Sequence, residues 1–600
     1  MNDKNRNGLI VLCAALLIGG GAGWVAKRSG VVPAGVGPAS VASKAPVTRS
    51  EHPNVLVILW DTTRADHLSL YGHDEQTTPN MAKWAENAVV FEQAISPAMW
   101  TVPSHASMFT GVMPTTHNAD YDYRWLDGTN RTLAEWLGES GYDTYAFSAN
   151  PNLADKRYNL LQGVDTVEMS WKGQWTKRVG AETRKKLIQR DRSTEISPGY
   201  AGKKGGPFSN NAAPFTGKAL TTWIDQRPDP GKPWFAYLNY MEAHKPRVPT
   251  LEARRRIADS PESIELGLST DLSLENQLLY SVGAREYTPA ELSAIEDVYD
   301  ASLTELDDWT GKLIEDLRQR GELENTIIVF TSDHGENLGD HHLFGHRHGL
   351  YQALVHVPLV IAWEGHLEGR RVAEPTSNAD LYWTITRLAG LPPPESPQPG
   401  YRTDLLAGTS EAVFTEAIGI DREGIEMVKR AVVDPTRFEH RFKAVVQAGW
   451  KLIETDAGVK ELYHLAIDPD ELTDLSASEP ARLAELDAAL DRWAAAQPAY
   501  DPTGQTASDV PVEDDEATKA MLTVMGYIPE EDEEAPADGT AVASAAPAPT
   551  DVCHGLPPAT ASDCRQRLAA CDGFAEPKRS ECIKPIAGKA NKLRDRGKSR

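Results

Sequence analysis

The stretch Asn54-Val-Leu-Val-Ile-Leu-Trp60-Asp61-Thr62-Thr63-Arg64 decides the fold of this chain. Its apolar part is continuous, which is typical of a strand that a parallel sheet buries on both faces. An acidic residue, Asp61, follows the strand directly. A carboxylate in that position needs a partner, and a metal ion is a good one, although Asp61 taken alone is equally well explained as a helix cap.

Further apolar stretches alternate with helical patterns along the chain. Buried strands are predicted at residues 144–147, 234–238, 326–330 and 357–361. Helices are predicted at residues 79–88, 133–140, 215–226, 289–319 and 379–388. This alternation predicts an α/β fold, with a mostly parallel sheet sandwiched by helices.

The pattern changes near Ser396. Residues 442–447 and 450–454 predict a hairpin, and residues 480–496 predict a helix, so we expect a small C-terminal antiparallel α+β subdomain. The expected limits are 53–398 for the α/β domain, 399–499 for the subdomain and 500–552 for an acidic, then Ala/Pro-rich linker.

Composition narrows the class of protein. The chain has 600 residues, of which 41% are hydrophobic, and this is enough to bury a large core. The formal net charge is -25. Because a nucleic-acid backbone is itself anionic, this charge argues against nucleic acid as a partner.

The N-terminal segment predicts export. Lys4 and Arg6 precede an apolar run at residues 8–26, and Lys27 and Arg28 follow it. Residues 1–28 are therefore predicted to be a signal-anchor or a cleaved signal peptide, with residues 29–52 as a linker. Either alternative puts the bulk of the protein in the periplasm or outside the cell, and an anchor would add membrane contact.

Four cysteines crowd into residues 553–600, a segment that ends in a basic tail: Cys553, Cys564, Cys571 and Cys582. In a short tail they predict two disulfides, hence an oxidising compartment, but the sequence does not fix their pairing. A zinc site is the alternative, although the segment has no CxxC pair and His554 is the one histidine nearby.

A second polar cluster is Trp100-Thr101-Val102-Pro103-Ser104-His105. A hydroxyl precedes a proline that can occupy the first turn of a helix. The backbone amides and the dipole of that helix would face an incoming anion, which is the arrangement of a nucleophile turn. A plain helix cap by Thr101 or Ser104 explains the same residues.

A third cluster follows the strand predicted at residues 326–330. It begins with Thr331-Ser332-Asp333-His334-Gly335-Glu336 and continues into a tract with His341, His342, His346 and His348. An Asp-His pair at a strand end has the character of a metal ligand, and a solvated polar loop is the alternative. A fourth, weaker signal is His244, just past the strand predicted at residues 234–238.

Together these clusters resemble the sulfatase family, part of the alkaline phosphatase superfamily. The four clusters stand in the family's order, and residues 380–390 and 461–470 resemble its late helix and its C-terminal subdomain. The resemblance covers residues 53–493 and implies the alkaline phosphatase-like fold.

The resemblance also implies roles for individual residues. It implies one divalent metal ion (Ca²⁺, Mn²⁺ or Zn²⁺) held by Asp61, Thr101, Asp333 and His334. It implies catalytic roles for Thr101, His244, His346 and His348, with Thr101 as the nucleophile. Substrate-binding roles fall on His105 and Arg64.

The chain departs from the family pattern in ways that affect its chemistry. Family members use Cys-x-Pro-Ser-Arg, or a serine in the cysteine's place, and convert that residue to formylglycine. Here Thr101 and His105 occupy those positions, so formylglycine is not expected. Thr62 stands where a second metal-binding acid is usual, and fewer carboxylates would favour Mn²⁺ or Zn²⁺ over Ca²⁺.

The sequence thus predicts a metal-dependent hydrolase that cleaves sulfuric or phosphoric esters through a threonine. The substrate is expected to be an anionic ester, with glycans and lipids as candidates. A phosphodiesterase or phosphonate monoester hydrolase remains open, and so does a transferase of phosphoethanolamine or phosphoglycerol type acting on cell-envelope glycans or lipids. A catalytically silent binding module is the remaining alternative.

Overall fold

The computed structural model describes residues 51–154, 156–188, 211–258, 260–392, 404–407, 411–431, 433–501 and Thr518. All of these belong to one compact unit of the chain, Met1–Pro529. The predicted signal segment and the cysteine-rich tail lie outside the described residues. Among the residues that are described, no helix is both long and apolar enough to cross a membrane.

Nine strands form the central sheet, in the order β10-β2-β9-β6-β1-β5-β3-β4, with β11 also paired to β2. They are β1 (Asn54–Trp60), β2 (Val89–Ile95), β3 (Asp143–Ser148), β4 (Thr166–Met169), β5 (Trp234–Tyr240), β6 (Thr326–Thr331), β9 (His356–Ala362), β10 (Arg370–Val372) and β11 (Thr376–Ser377). A separate short hairpin joins β7 (Asn337–Leu338) and β8 (Phe344–Gly345).

The sheet is parallel except at one strand. β9 runs antiparallel to both of its neighbours, β6 and β2. Every other pair in the sheet is parallel, including β1 with β5 and β6. The predicted, mostly parallel sheet is therefore confirmed.

Helices cover the sheet. In chain order they are α1 (Pro79–Ala85), α2 (Thr101–Thr110), α3 (Pro114–His117), α4 (Leu133–Glu139), α5 (Pro151–Ala154), α6 (Trp175–Ile188), α7 (Ala213–Gln226), α8 (Leu251–Ile257), α9 (Pro261–Ser269), α10 (Leu274–Ser281), α11 (Pro289–Gln319), α12 (Gln352–Val355), α13 (Leu381–Leu388), α14 (Arg422–Arg430) and α15 (Pro480–Ala496).

The sheet separates two apolar cores, and β1 shows why its sequence is apolar throughout. Val55, Val57 and Leu59 point into one core, whereas Leu56 and Ile58 point into the other. Side chains alternate across a strand, so a strand with helices on both faces has no polar side. Burying each such side chain contributes about 1.5–3 kcal/mol.

The C-terminal sheet is antiparallel, as predicted. It consists of β12 (Ala412–Ala417), β13 (Phe442–Gln447), β14 (Trp450–Thr455) and β15 (Lys460–His464), in sequential order. The helix α15 packs on it through Leu486, Leu490 and Trp493.

This C-terminal sheet is tied to the segment around the predicted nucleophile. The backbone N–H of Glu416 donates to the carbonyl of Pro97 at 3.0 Å. The buried Asp120 carboxylate accepts from Trp100 Nε1 at 2.6 Å and from the backbone amides of Ile418 and Gly419 at 3.0 and 3.2 Å. One carboxylate therefore joins β12 to the residue that precedes Thr101.

Candidate active site

Four neighbouring strands deliver polar side chains to one edge of the sheet. Asp333 and His334 follow β6, Asp61 follows β1, Asn239 lies near the end of β5, and Asn150 follows β3. These strands are adjacent and parallel, in the order β6-β1-β5-β3. Their carboxyl ends therefore meet, as in other open α/β sheets that bind ligands at this edge.

Asp61, Asp333 and His334 form a closed group of metal-ligating atoms. One ligand atom from each lies within 4.8 Å of the others, and all three side chains are fully buried. Within the described residues, Asp61 Oδ1 and Asp333 Oδ2 have no hydrogen-bond donor. Buried carboxylate oxygens without a donor are unfavourable, so these two atoms fit a cation.

The remaining carboxylate oxygens are held in place by amides. Asp61 Oδ2 accepts from Asn150 Nδ2 at 2.7 Å and from Asn239 Nδ2 at 3.2 Å. Asp333 Oδ1 accepts from the backbone amides of His334 at 3.0 Å and Thr62 at 3.3 Å. Each acid thus has one oxygen fixed by the protein and one left for a ligand.

The ring of His334 is oriented in the same way. Its Nδ1 lies 2.9 Å from the Gly335 carbonyl, which can only accept, so Nδ1 carries the proton. Nε2 is left with its lone pair, 3.3 Å from Asp333 Oδ2. A backbone carbonyl that fixes the tautomer of a metal-binding histidine is a common outer contact in metal sites.

Burial shifts the pKa of every member of this group in the direction that favours the neutral form of the side chain. It raises the pKa of Asp61, with a further contribution from the charge of Asp333, and it raises the pKa of Asp333 to about 7. It lowers the pKa of His334 to about 4. A divalent cation would reverse the effect on both carboxylates, because it favours their charged forms.

Thr101 is the first residue of α2, and its hydroxyl reaches this group. Thr101 Oγ1 lies 3.4 Å from His334 Nε2 and 3.5 Å from Asn150 Nδ2. The hydroxyls of Ser96 and Ser104 both donate to the Asp333 carbonyl, at 2.5 and 2.6 Å. These two bonds fix the start of α2 against the turn that carries Asp333 and His334.

His105 lies directly beneath the threonine, one helical turn later. Its Nδ1 donates to the Thr101 carbonyl at 2.8 Å, and its Nε2 lies 2.8 Å from the Tyr237 hydroxyl. Burial lowers the pKa of His105 to about 3, so the ring is neutral. Both ring nitrogens are engaged with protein atoms, and the substrate contact expected from the sequence stays a prediction.

Of the three other histidines predicted to be catalytic, His244, His346 and His348, the first two pack beside the metal-ligating group. The ring of His346 lies 4.4 Å from that of His334 and 5.2 Å from that of His244, between centroids. The third, His348, packs edge-on against the rings of Phe438 and Phe442.

A carboxylate orients His346. Its Nδ1 lies 3.0 Å from Glu336 Oε1, and the other oxygen of Glu336 accepts from Arg247 at 2.6 Å. Burial acts to raise the pKa of Glu336, but His346 and Arg247 outweigh it and hold that pKa well below its usual range. Burial also lowers the pKa of His346 to about 4. The result is a neutral imidazole paired with a charged carboxylate.

Arg64, expected to bind substrate, is engaged by acids of the chain. Its guanidinium donates to both oxygens of Asp66, at 3.0 and 2.6 Å, and to Asp340 at 2.8 Å. The neighbouring Thr62 has φ 58°, and its hydroxyl donates to the Asp61 carbonyl at 2.7 Å. Positive φ is unusual for a β-branched residue, so the turn after β1 is held by its surroundings.

Sequence reasoning did not single out Asn150, Asn239 and Glu336. Asn150 and Asn239 come just after the strands predicted at residues 144–147 and 234–238. They could have been found in the same way as Asp61, as polar residues at the carboxyl end of a buried strand. Glu336 lies in the quoted third cluster, but no pattern in the sequence pairs it with His346.

Comparison with known proteins agrees with this geometry. The family model described as Sulfatase matches residues 53–391. The chain belongs to the sulfatase family. The predicted resemblance is thus confirmed, and with it membership of the alkaline phosphatase superfamily. The protein is accordingly an ester hydrolase, in a family that typically binds a divalent metal.

Individual relatives match over different shares of their length. The multifunctional alkaline phosphatase superfamily protein PehA of Trinickia caryophylli is 27% identical over 51% of this chain and 68% of its own. Arylsulfatase K of Bos taurus is 32% identical over 34% of this chain and 37% of its own, so the chain matches little more than a third of that sulfatase.

A solved structure shows the same fold. The phosphonate monoester hydrolase of Agrobacterium radiobacter superposes with a TM-score of 0.56 at 23% identity. The superposition covers 74% of this chain and 95% of that one.

Proposed function

We propose that this sulfatase-family protein is a metal-dependent hydrolase that uses Thr101 as its nucleophile on an anionic ester. One observation carries the proposal. Asp61, Asp333 and His334 converge, and among the described residues Asp61 Oδ1 and Asp333 Oδ2 have no hydrogen-bond donor, while His334 Nε2 carries no proton. The Thr101 hydroxyl lies 3.4 Å from that nitrogen. The arrangement joins a cation site to an alcohol that is otherwise a poor nucleophile.

Asp61, Asp333 and His334 would hold the cation, and Thr101 would join them through its oxygen. A divalent ion bound there supplies a Lewis acid, which lowers the pKa of an adjacent alcohol and stabilises charge on the transferred group. Besides Thr101, the ligand set has two carboxylates and one imidazole. Thr62, at the position of the family's second acid, brings only a neutral hydroxyl, which donates to the Asp61 carbonyl. A nitrogen ligand in the set favours Mn²⁺ or Zn²⁺ over Ca²⁺.

The protein positions the hydroxyl before any substrate arrives. Thr101 opens a helix whose first amides have no partner within the helix, and these amides favour an anion at the helix start. His105 holds the Thr101 carbonyl from below, and the serine bonds to Asp333 fix the same turn. Attack by Thr101 Oγ1 forms a threonine ester of the transferred group and expels the substrate alcohol.

His346 is proposed as the proton-transfer residue. Glu336 can only accept, so Nδ1 of His346 carries the proton and Nε2 is the basic nitrogen of the ring. The neutral ring can accept the proton of the Thr101 hydroxyl as it attacks, and can then give that proton to the oxygen of the departing alcohol. Its partner Glu336 stabilises the charged ring that forms, in the manner of histidine–carboxylate pairs in other hydrolases. His244 lies on the far side of His346 and is proposed to contact the anionic group.

The nucleophile favours phosphoryl substrates over sulfate esters. A formylglycine hydrate releases its adduct by breaking its own carbon–oxygen bond, but a threonine ester has no such route. Water must therefore attack phosphorus or sulfur directly. The similarity to PehA, an alkaline phosphatase superfamily protein, and to the Agrobacterium phosphonate monoester hydrolase supports phosphoric or phosphonate esters as substrates. Sulfate esters are the second candidate, because the family match is to sulfatases.

A panel assay tests the function. The purified chain is stripped of metal, resupplied with Ca²⁺, Mn²⁺ or Zn²⁺, and offered chromogenic sulfate, phosphate monoester, phosphate diester and phosphonate monoester substrates. We expect turnover with Mn²⁺ or Zn²⁺ on the phosphoric or phosphonate substrates. Preference for the sulfate would reverse the order of the two candidates, and no turnover with any metal would overturn the hydrolase.

A variant ties the activity to the site. Asp333→Asn keeps the shape of the side chain and removes its charge, so we expect loss of bound metal and of turnover together. Unchanged metal content would contradict the ligand assignment. Repeating the assay with a glycan acceptor separates hydrolysis from transfer, since transfer would yield a modified glycan instead of the free acid.

A further inference from the structure

A second group of metal-ligating side chains lies outside the active site. His67 and His73 belong to the segment that follows β1, and Asp300 lies in the middle of α11. His67 Nδ1 lies 2.7 Å from Asp300 Oδ1, and His73 Nε2 lies 3.2 Å from Asp300 Oδ2. The two imidazole rings are tilted towards each other with centroids 5.1 Å apart.

We propose that His67, His73 and Asp300 form a second metal-binding site, selective for a borderline divalent ion such as Zn²⁺. One ligand atom from each residue lies within 4.8 Å of the others. Bonds of about 2 Å to zinc need ligand atoms about 3–4 Å apart, so small side-chain rotations suffice. Two imidazoles with one carboxylate are a ligand set that zinc and its neighbours in the first transition row prefer.

The surroundings of the site favour a cation. Asp300 is buried, with only 6% of its side chain exposed, whereas 12% of His67 and 21% of His73 are exposed. An ion can therefore enter from the histidine side. Glu296, exposed one helical turn before Asp300, adds a further negative charge that acts on His67. The charges of Asp66 and Glu75 also act on His73, and the positive charge of Arg64 is paired with Asp66.

The position of the site gives the ion a structural role. The turn after β1 carries Asp61 and Thr62, and α11 already holds it at one point: the Tyr299 hydroxyl donates to the Thr62 carbonyl at 2.7 Å. The same hydroxyl accepts from the Arg64 amide at 2.9 Å. An ion between His67 and Asp300 would replace their hydrogen bond by metal–ligand bonds and so strengthen this link to α11, three residues beyond Arg64. It would stabilise the turn that aims Asp61 without touching the reacting atoms.

Metal stoichiometry separates the two sites. The full chain is stripped of metal, equilibrated with Zn²⁺, dialysed and analysed for zinc by mass spectrometry. We expect two equivalents in the wild type, one in Asp333→Asn, one in His73→Gln and none in the double variant. The matched control is His440→Gln, which breaks a histidine–aspartate pair (Nδ1–Oδ1 3.1 Å, to Asp456) and should keep both equivalents.

Two further readouts keep the test decisive. X-ray absorption of zinc-loaded Asp333→Asn should show two imidazole ligands, and zinc should raise the Tm of Asp333→Asn but not that of the double variant. Equal zinc content in Asp333→Asn with and without His73→Gln would overturn the proposal. If the active site binds no metal, the wild type and Asp333→Asn each hold one equivalent that His73→Gln removes, so the failure of the proposed function remains distinguishable.

Discussion

Replacing Thr101 by valine tests the proposed nucleophile most directly. Valine keeps the branched shape and removes only the hydroxyl. If Thr101 Oγ1 attacks the ester, kcat/KM should fall by at least about 10⁴-fold, which corresponds to about 5.5 kcal/mol of transition-state stabilisation. What remains would come from the cation and the helix dipole alone.

The structure indicates that this variant folds. Thr101 Oγ1 lies 3.4 Å from His334 Nε2 and 3.5 Å from Asn150 Nδ2, and both distances are at the weak limit for hydrogen bonds. Losing such contacts costs about 1 kcal/mol, and in a unit of this size a loss of that magnitude lowers the Tm by no more than about 2 °C. Loss of folding therefore cannot explain a loss of activity.

The assay compares Thr101→Val with Thr101→Ser on the best substrate of the metal panel. Serine keeps the oxygen, so Thr101→Ser should stay within about tenfold of the wild type. Tm and metal content are measured on the same samples. A valine variant that retains more than a tenth of the wild-type kcat/KM, with its metal bound, would refute Thr101 as nucleophile and leave a metal-activated water as the attacking group.

Three further perturbations follow from particular contacts. Glu336→Gln removes the charge that faces His346, so kcat should fall by about 10²–10⁴-fold with little change in KM, as steady-state kinetics will show. Gly335→Ala would place a Cβ 2.0 Å from a backbone carbonyl oxygen, so it should cost about 3 kcal/mol in urea unfolding and disturb His334, whereas Gly128→Ala, with its nearest atom at 4.0 Å, should be neutral. Burial raises the pKa of Glu416 to about 7, so folding binds a proton there and stability falls as pH rises from about 5 to 8. Glu416→Gln should weaken that fall by about 2–3 kcal/mol in unfolding measured at both pH values, and an unchanged slope would contradict the assignment.

Much of the fold could be predicted because burial on both faces leaves an unbroken apolar signal. The long helix Pro289–Gln319 was predicted with its observed limits, since Thr288 and Glu291 form a capping box before a regular helical pattern. β2 was missed because Glu92 and Gln93 interrupt it and are only partly buried. The reversal of β9 was not predictable, since its run of apolar residues carries no information on direction.

The site was predictable where chemistry sits directly at a strand end. Asp61, Asp333 and His334 were named from their positions at strand ends together with the family resemblance, and the structure brings them together. The pairing of His346 with Glu336 depends on how the chain turns between residues ten apart, and no periodicity encodes that turn. The substrate-binding role of Arg64 stays a prediction, and its ion pairs with Asp66 and Asp340, the second 276 positions away in sequence, were not predicted.

The bridge formed by Asp120 bears on where this protein can be cut. The family match ends at residue 391, which would suggest a minimal catalytic fragment there. Such a fragment would lose the amides of Ile418 and Gly419 as donors to the buried carboxylate beside Trp100, the residue before Thr101. Expression designs should therefore extend through the last strand of the C-terminal sheet. A library that exchanges this sheet for those of relatives would change the surroundings of Thr101 as well as the protein surface.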